Sequence, residues 1–215
     1  MRIQGLISIE GNIASGKTSL MNILSESVMC NSIYEEIPDI SLLNKFYSKE
    51  VVDNLQIELL FFNKRYELLK TKYRKYELNI SDFSFFRSLI IAKLNLSDDQ
   101  YSFLERKFHE LQNKIIQPNL IVYIRSNVEN LKSNVIKRGR NFEKNIDIEY
   151  LEKVNNQYNI FFENFNLTNL LIINTNGNDF VNNKINKDLI TNSIIDLYNK
   201  CLAKKSYTIE EITLY

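Results

Sequence analysis

Residues 3–18 read Ile-Gln-Gly-Leu-Ile-Ser-Ile-Glu-Gly-Asn-Ile-Ala-Ser-Gly-Lys-Thr. The apolar positions Ile3, Leu6, Ile7 and Ile9 predict a buried strand, and Leu20, Ile23, Leu24 and Val28 predict a helix after it. Between them lies Gly11-x-x-x-x-Gly16-Lys17-Thr18, the full spacing of a phosphate-binding loop. Glycine lets the backbone curl so that successive N–H groups face one anion-sized hollow. A helix beginning near Lys17 adds the positive end of its dipole. Nine consecutive residues, Gly11, Asn12, Ile13, Ala14, Ser15, Gly16, Lys17, Thr18 and Ser19, therefore form the expected cradle for a nucleoside triphosphate. Lys17 is placed for the β- and γ-phosphates, and the Thr18 hydroxyl for Mg²⁺. A plain strand-to-helix turn needs neither the lysine nor the second glycine.

Length and composition fit one α/β domain: 215 residues, 44% hydrophobic, enough for a sizeable core. The net charge of +1 is spread along the chain, so no nucleic-acid partner is expected. Cys30 and Cys201 follow no metal spacing and read as buried thiols of a reducing compartment. His109 is the single histidine, which argues against a Ser-His-Asp device; it reads as a surface residue. Glu10 and Lys17 interrupt the N-terminal apolar run, and no segment approaches a membrane span. A cytoplasmic protein with no membrane partner is the expectation.

Strands are predicted at 3–9, 32–36, 79–82, 119–125 and 169–174, with helical patterns between them, which implies a parallel sheet flanked by helices. Residues 53–76 are apolar on two faces, so that helix is buried or packs on a second subunit. Ser97 to Gln100 forms a capping box opening a helix to about Ile116, and Ser126 with Glu129 is expected to cap another. Further helices are expected over 151–165 and 187–203. One domain over 1–205 is expected, with a tail 206–215 that the pattern does not place.

Beyond the loop, four features bear chemistry. Glu35 and Glu36 end the second predicted strand, where a carboxylate can take a proton from an attacking hydroxyl, though a solvated acidic pair reads equally well. Asp82 ends the third; it suits Mg²⁺ or an N-cap. Arg138 and Arg140 flank Gly139 at a helix end, either as a mobile lid that neutralises phosphoryl charge or as helix C-capping. Aromatic and Gln/Glu residues over 46–62 could line a flat-ring pocket, but aromatics at helical spacing are more often core.

In combination these features resemble the deoxynucleoside kinase family, in its bacterial deoxyadenosine/deoxyguanosine kinase-like branch. The resemblance rests on Gly11 to Thr18, Leu43-Asn44-Lys45-Phe46-Tyr47, Arg138-Gly139-Arg140-Asn141-Phe142-Glu143 and Glu149-Tyr150-Leu151, in order along the chain to about residue 200. It implies a P-loop kinase fold with a five-stranded parallel sheet, a short arginine lid and a homodimer formed through helices. It implies phosphoryl transfer from ATP to the 5′-hydroxyl of a deoxynucleoside. Carried over by position, Glu35 is the general base, with Glu36 next to it if the register slips. Tyr47 and Glu143 hold the sugar 3′-hydroxyl, Arg138 and Arg140 close on the phosphates, and the loop 175–187 with Gly177 holds adenine. Two departures stand out. Phe83 follows Asp82 where the family usually has arginine, leaving Arg87 one helical turn later as a stand-in. Glu58 sits where many members read the base with glutamine, with Gln56 two residues before it. Ionised glutamate only accepts hydrogen bonds, whereas glutamine also donates. Two alternatives remain at this stage. A nucleoside monophosphate kinase of the thymidylate kinase kind would draw on Lys64, Arg65 and Arg87. A nucleotide-binding regulatory paralogue would have little activity.

Overall fold

The computed structural model describes residues 4–175, 177–203 and 207–214. Ile3 of the first predicted strand, Asn176 of the 175–187 loop, and Ser206 and Tyr215 of the tail lie outside them. The described chain runs β1 (Gly5–Gly11), α1 (Lys17–Ser27), β2 (Asn31–Ile33), α2 (Ile40–Tyr47), α3 (Asn54–Lys72), β3 (Leu78–Ser81), α4 (Arg87–Asn95), α5 (Asp98–Leu111), β4 (Leu120–Arg125), α6 (Val128–Arg138), α7 (Ile148–Glu163), β5 (Asn169–Asn174), α8 (Lys184–Ala203) and β6 (Ile209–Thr213). All ladders are parallel, in the order β2-β3-β1-β4-β5-β6.

Among the described residues the sheet has six strands, not the five expected. The sixth comes from the tail that the pattern left unplaced: β6 pairs with β5 from Leu170↔Ile209 to Asn174↔Thr213. As an edge strand it buries little, and Glu210 and Glu211 keep it polar, so its hydrophobic pattern is weak. β1, β3, β4 and β5 are buried on both faces, as parallel strands covered on both sides are, whereas β2, at the opposite edge, buries only Ile33. Along β4, Leu120, Val122 and Ile124 point into the layer packed by Leu20 and Leu24 of α1 and Ile190, Ile194 and Leu197 of α8. Ile121 and Tyr123 point the other way, into an aromatic-rich layer with Phe62, Phe85, Phe108, Tyr158 and Phe162. That second layer takes in one face of α3. Ile57, Glu58 and Arg65 of α3 are buried outside that cluster, and the remaining positions are half-buried or exposed.

Several boundaries differ from expectation for local reasons. The α5 capping box is present, with Ser97 Oγ accepting from Gln100 N and Gln100 reaching back, but the α-helix ends at Leu111 in a short 3-10 turn. Ser97→Ala is expected to lower unfolding free energy by about 1 kcal/mol, measured by urea denaturation. Ser126 does not cap α6. Asn127 does, accepting from Asn130 N, while Ser126 is buried and bonds Thr175 at 3.2 Å. Cys30 and Cys201 are half-buried rather than buried, and His109 is exposed as expected.

Candidate active site

Connections from β1 run to β2 and β3 on one side and to β4, β5 and β6 on the other. Strand order therefore reverses beside β1, and in such sheets the ligand crevice opens at the strands' carboxyl ends. A cavity of about 620 Å³ lies there, lined at one end by the 13–19 loop and at the other by Glu35, Tyr47, Arg87 and Glu143.

The loop leaving β1 depends on its glycines. Gly11 has φ 150°, and a Cβ there would stand 2.6 Å from Ser15 Oγ and 2.8 Å from the Ile124 carbonyl. Gly16 has φ 96° as the residue before α1, and a Cβ there would stand 2.8 Å from the Phe180 ring. Any side chain at either position strains the backbone and displaces a neighbour. Asn12 ties the loop to α7, donating to the Leu151 carbonyl and Asn155 Oδ1, both at 2.8 Å. Lys17 folds back on the loop, donating to the carbonyls of Gly11 (3.0 Å) and Asn12 (2.7 Å). Burial and the nearby Arg87 guanidinium lower its pKa to about 7, against the pull of Glu35, Glu10 and Asp82.

Asp82 joins the two ends of the cavity. Its Oδ2 accepts from Thr18 Oγ1 at 2.6 Å and its Oδ1 from the Glu35 amide at 2.6 Å. It is no N-cap: α4 begins five residues on, preceded by Phe86 without a side-chain cap. Burial raises the Asp82 pKa although these two hydrogen bonds oppose it. Glu35 lies two residues past the end of β2. Its Oε1 accepts from Arg65 Nε at 2.7 Å, with Arg87 Nε at 3.5 Å. Burial disfavours this carboxylate, but the two guanidiniums outweigh burial and hold its pKa at about 2. Glu36 points elsewhere, exposed and paired with Lys64 at 2.8 Å.

The two arginines expected to form a lid converge on one acid. Arg138 and Arg140 lie 3.4 and 3.3 Å from Oε1 of the buried Glu143, while Gly139 ends α6 in a left-handed turn. Glu143 Oε2 is buried and has no hydrogen-bond partner among the described residues. Tyr47 meets Tyr150 and Phe46 edge to face, and Glu143 acts on it electrostatically. Glu58 is buried on α3 with Asn95 Nδ2 donating to its Oε1 at 2.7 Å, and burial raises its pKa. Gln56 stands apart, exposed in the first turn of α3. Phe83, in the place of the family's usual arginine, is wholly buried in the aromatic layer, whereas Arg87 lines the cavity. Two buried polar groups escaped sequence reasoning: Glu10 at the end of β1 and Tyr158 on α7. The signal for Glu10 was available, as a lone carboxylate inside an apolar strand.

A parallel α/β sheet with a glycine-bounded loop and an acid-and-arginine cavity at its strand ends is the class that this geometry defines. The sequence profile described as "Deoxynucleoside kinase" matches residues 7–199. The chain is 30% identical to the deoxyguanosine kinase of Bacillus subtilis over 205 residues, covering 92% of this chain and 99% of that one. It is 26% identical to the deoxyadenosine kinase of Dictyostelium discoideum, covering 81% and 73% of the two chains. In fold it matches deoxyadenosine kinase from M. mycoides with products dCMP and dCDP bound, at a TM-score of 0.75 and 20% identity, over 89% of this chain and 99% of that one. The chain belongs to the deoxynucleoside kinase family, and it is accordingly a phosphotransferase with an alcohol acceptor.

Proposed function

We propose that the protein transfers the γ-phosphoryl group of ATP to the 5′-hydroxyl of a deoxynucleoside, as a salvage kinase working in the cytoplasm and as a homodimer through its helices. The observation that carries this reading is the Asp82 carboxylate, which links Thr18 of the loop to the amide of Glu35 at 2.6 Å on each side. A donor-phosphate end and a candidate base thereby share one rigid frame. On this reading the fold is that of a P-loop kinase, residues 1–205 form the catalytic unit, and the loop beyond β5 with Gly177 takes the adenine.

Thr18 Oγ1 and Asp82 Oδ2 supply two hard oxygens 2.6 Å apart. That set fits Mg²⁺, which usually binds one or two protein oxygens, phosphates and retained water. Among the described residues no cluster of three His, Cys, Asp or Glu side chains offers a fuller cage. Held by Thr18 and Asp82, Mg²⁺ would supply positive charge against the donor phosphates. Lys17 leaves the loop carbonyls for the same phosphates. Glu35 orients the 5′-hydroxyl and accepts its proton, Arg87 stands between that carboxylate and the Gly11 carbonyl, and Arg138 and Arg140 close over the transferred group. Tyr47 and Glu143 hold the 3′-hydroxyl, which would satisfy the unpartnered Glu143 Oε2. Positioning and electrostatics carry the rate in such transfers. The cations that a monophosphate acceptor would need are engaged, Arg65 and Arg87 with Glu35 and Lys64 with Glu36.

ATP turnover with each of the four deoxynucleosides, and with their monophosphates, tests the reading. At least one deoxynucleoside is expected to be phosphorylated, and turnover confined to a monophosphate would overturn it. Glu58→Gln is expected to reorder the deoxynucleosides by kcat/KM, because it restores a donor at that position. An unchanged order would remove Glu58 from base selection.

A further inference from the structure

We infer that Tyr158 and Glu10 are positioning residues for Arg87, and through it for the Glu35 carboxylate, an inference that rests on the proposed phosphoryl transfer. Arg87 is a buried guanidinium at the start of α4. A buried cation that must face a ligand needs fixed partners, because its stem alone has many rotamers. Arg87 Nη1 donates to Tyr158 Oη at 2.9 Å and to the Gly11 carbonyl at 3.1 Å. Glu10 Oε2 lies 3.7 Å from the same nitrogen.

The Tyr158 hydroxyl sits between two charges. It accepts from Arg87 and donates to Glu10 Oε2 at 2.9 Å, so both of its capacities are used in one direction. Glu10 is fixed in turn, since its Oε1 accepts from the Ser84 amide at 2.6 Å. The Tyr158 ring stacks on Tyr123 and Phe162, which fixes the hydroxyl as firmly as the helix itself. The result is a relay from the end of β1 through α7 to Arg87, whose Nε is left 3.5 Å from Glu35 Oε1. Without the hydroxyl, the guanidinium is drawn the remaining distance to Glu10 and away from Glu35 and the loop. Phe83, buried in the aromatic layer, offers no cation from the preceding loop to replace it.

Tyr158→Phe keeps the stacked ring and removes only the relay. It is expected to lower kcat by about ten- to a hundredfold, with KM for ATP and Tm close to wild type. Tyr123→Phe is the control. Its hydroxyl donates to Asn159 Oδ1 at 2.9 Å in the same layer but outside the relay, and kcat should be unchanged. A signature independent of turnover is the ¹⁵N-arginine spectrum. Arg87 Nε–H should be sharp and slow to exchange with water in the wild-type protein, and broadened or shifted in Tyr158→Phe and Glu10→Gln. Wild-type kcat in Tyr158→Phe, or an Arg87 signal unaffected by both substitutions, would overturn the inference. Equal losses of kcat in Tyr158→Phe and Tyr123→Phe would also overturn it, by making the hydroxyl an ordinary core contact. Absence of deoxynucleoside turnover in the wild-type protein would instead strike the proposed function, and the spectrum would still test the relay.

Discussion

Glu35→Gln is expected to reduce turnover by about a thousandfold while ATP binding persists. Glutamine keeps the size of the side chain and can still accept from Arg65, but it carries no charge and takes no proton at neutral pH. Arg65 and Arg87 hold the Glu35 pKa at about 2, so the wild-type carboxylate is ionised throughout the range in which the enzyme would be assayed. Such a carboxylate is a weak base toward a neutral hydroxyl. As the proposed base it would suit a loose phosphoryl transfer, in which the hydroxyl becomes acidic only as the bond to phosphorus forms. Single-turnover phosphorylation with saturating ATP isolates this step from product release. Unchanged turnover would assign the proton to water or to Glu36. Glu36 is poorly placed for the task, since it is exposed, bound to Lys64 and absent from the cavity wall.

The second large effect is expected at Lys17. Lys17→Met should lower kcat/KM for ATP by about a hundred- to a thousandfold, because it removes a cation from the side on which phosphate charge develops. The same change should leave Tm unchanged or raise it. The ammonium is held among the Gly11 and Asn12 carbonyls at a desolvation cost, and the methionine stem fills similar space without that cost. Loss of activity without loss of stability, measured by kinetics and thermal melting on one preparation, separates a ligand role from a folding role. A fall in Tm matching the fall in activity would place Lys17 in the scaffold instead.

Long-range position at this site was legible where the residue type was unusual for its setting. The 11–18 spacing predicts the loop, and β1, β4 and β5 stand out as short apolar blocks between helical patterns, while β2 and β3 show only one or two apolar residues each. β6 escaped because an exposed edge needs charge rather than apolar alternation. Glu10 is marked locally as a lone carboxylate in an apolar strand, but its pairing with Tyr158 spans 148 residues, and no local pattern records that. Asp82 reads as cap or ligand from the sequence, and the start of α4 five residues on excludes only the cap. Ser126 misled for the opposite reason: a correct capping spacing lay one residue away from the side chain that caps.

The central place of β1 also bears on how the chain assembles. Its neighbours are β3, paired from Gly5↔Leu78, and β4, paired from Ile7↔Leu120. Both ladders close loops of many tens of residues, and folding slows as such distant contacts dominate. The loop over residues 11–19 leaves the end of β1, and its Gly11 sits against the Ile124 carbonyl of β4 and beneath Arg87. Its shape therefore cannot be fixed by the local sequence alone. Refolding followed by ATP binding should lag behind refolding followed by helix signal, because the nucleotide site is completed only when the two most distant ladders have closed.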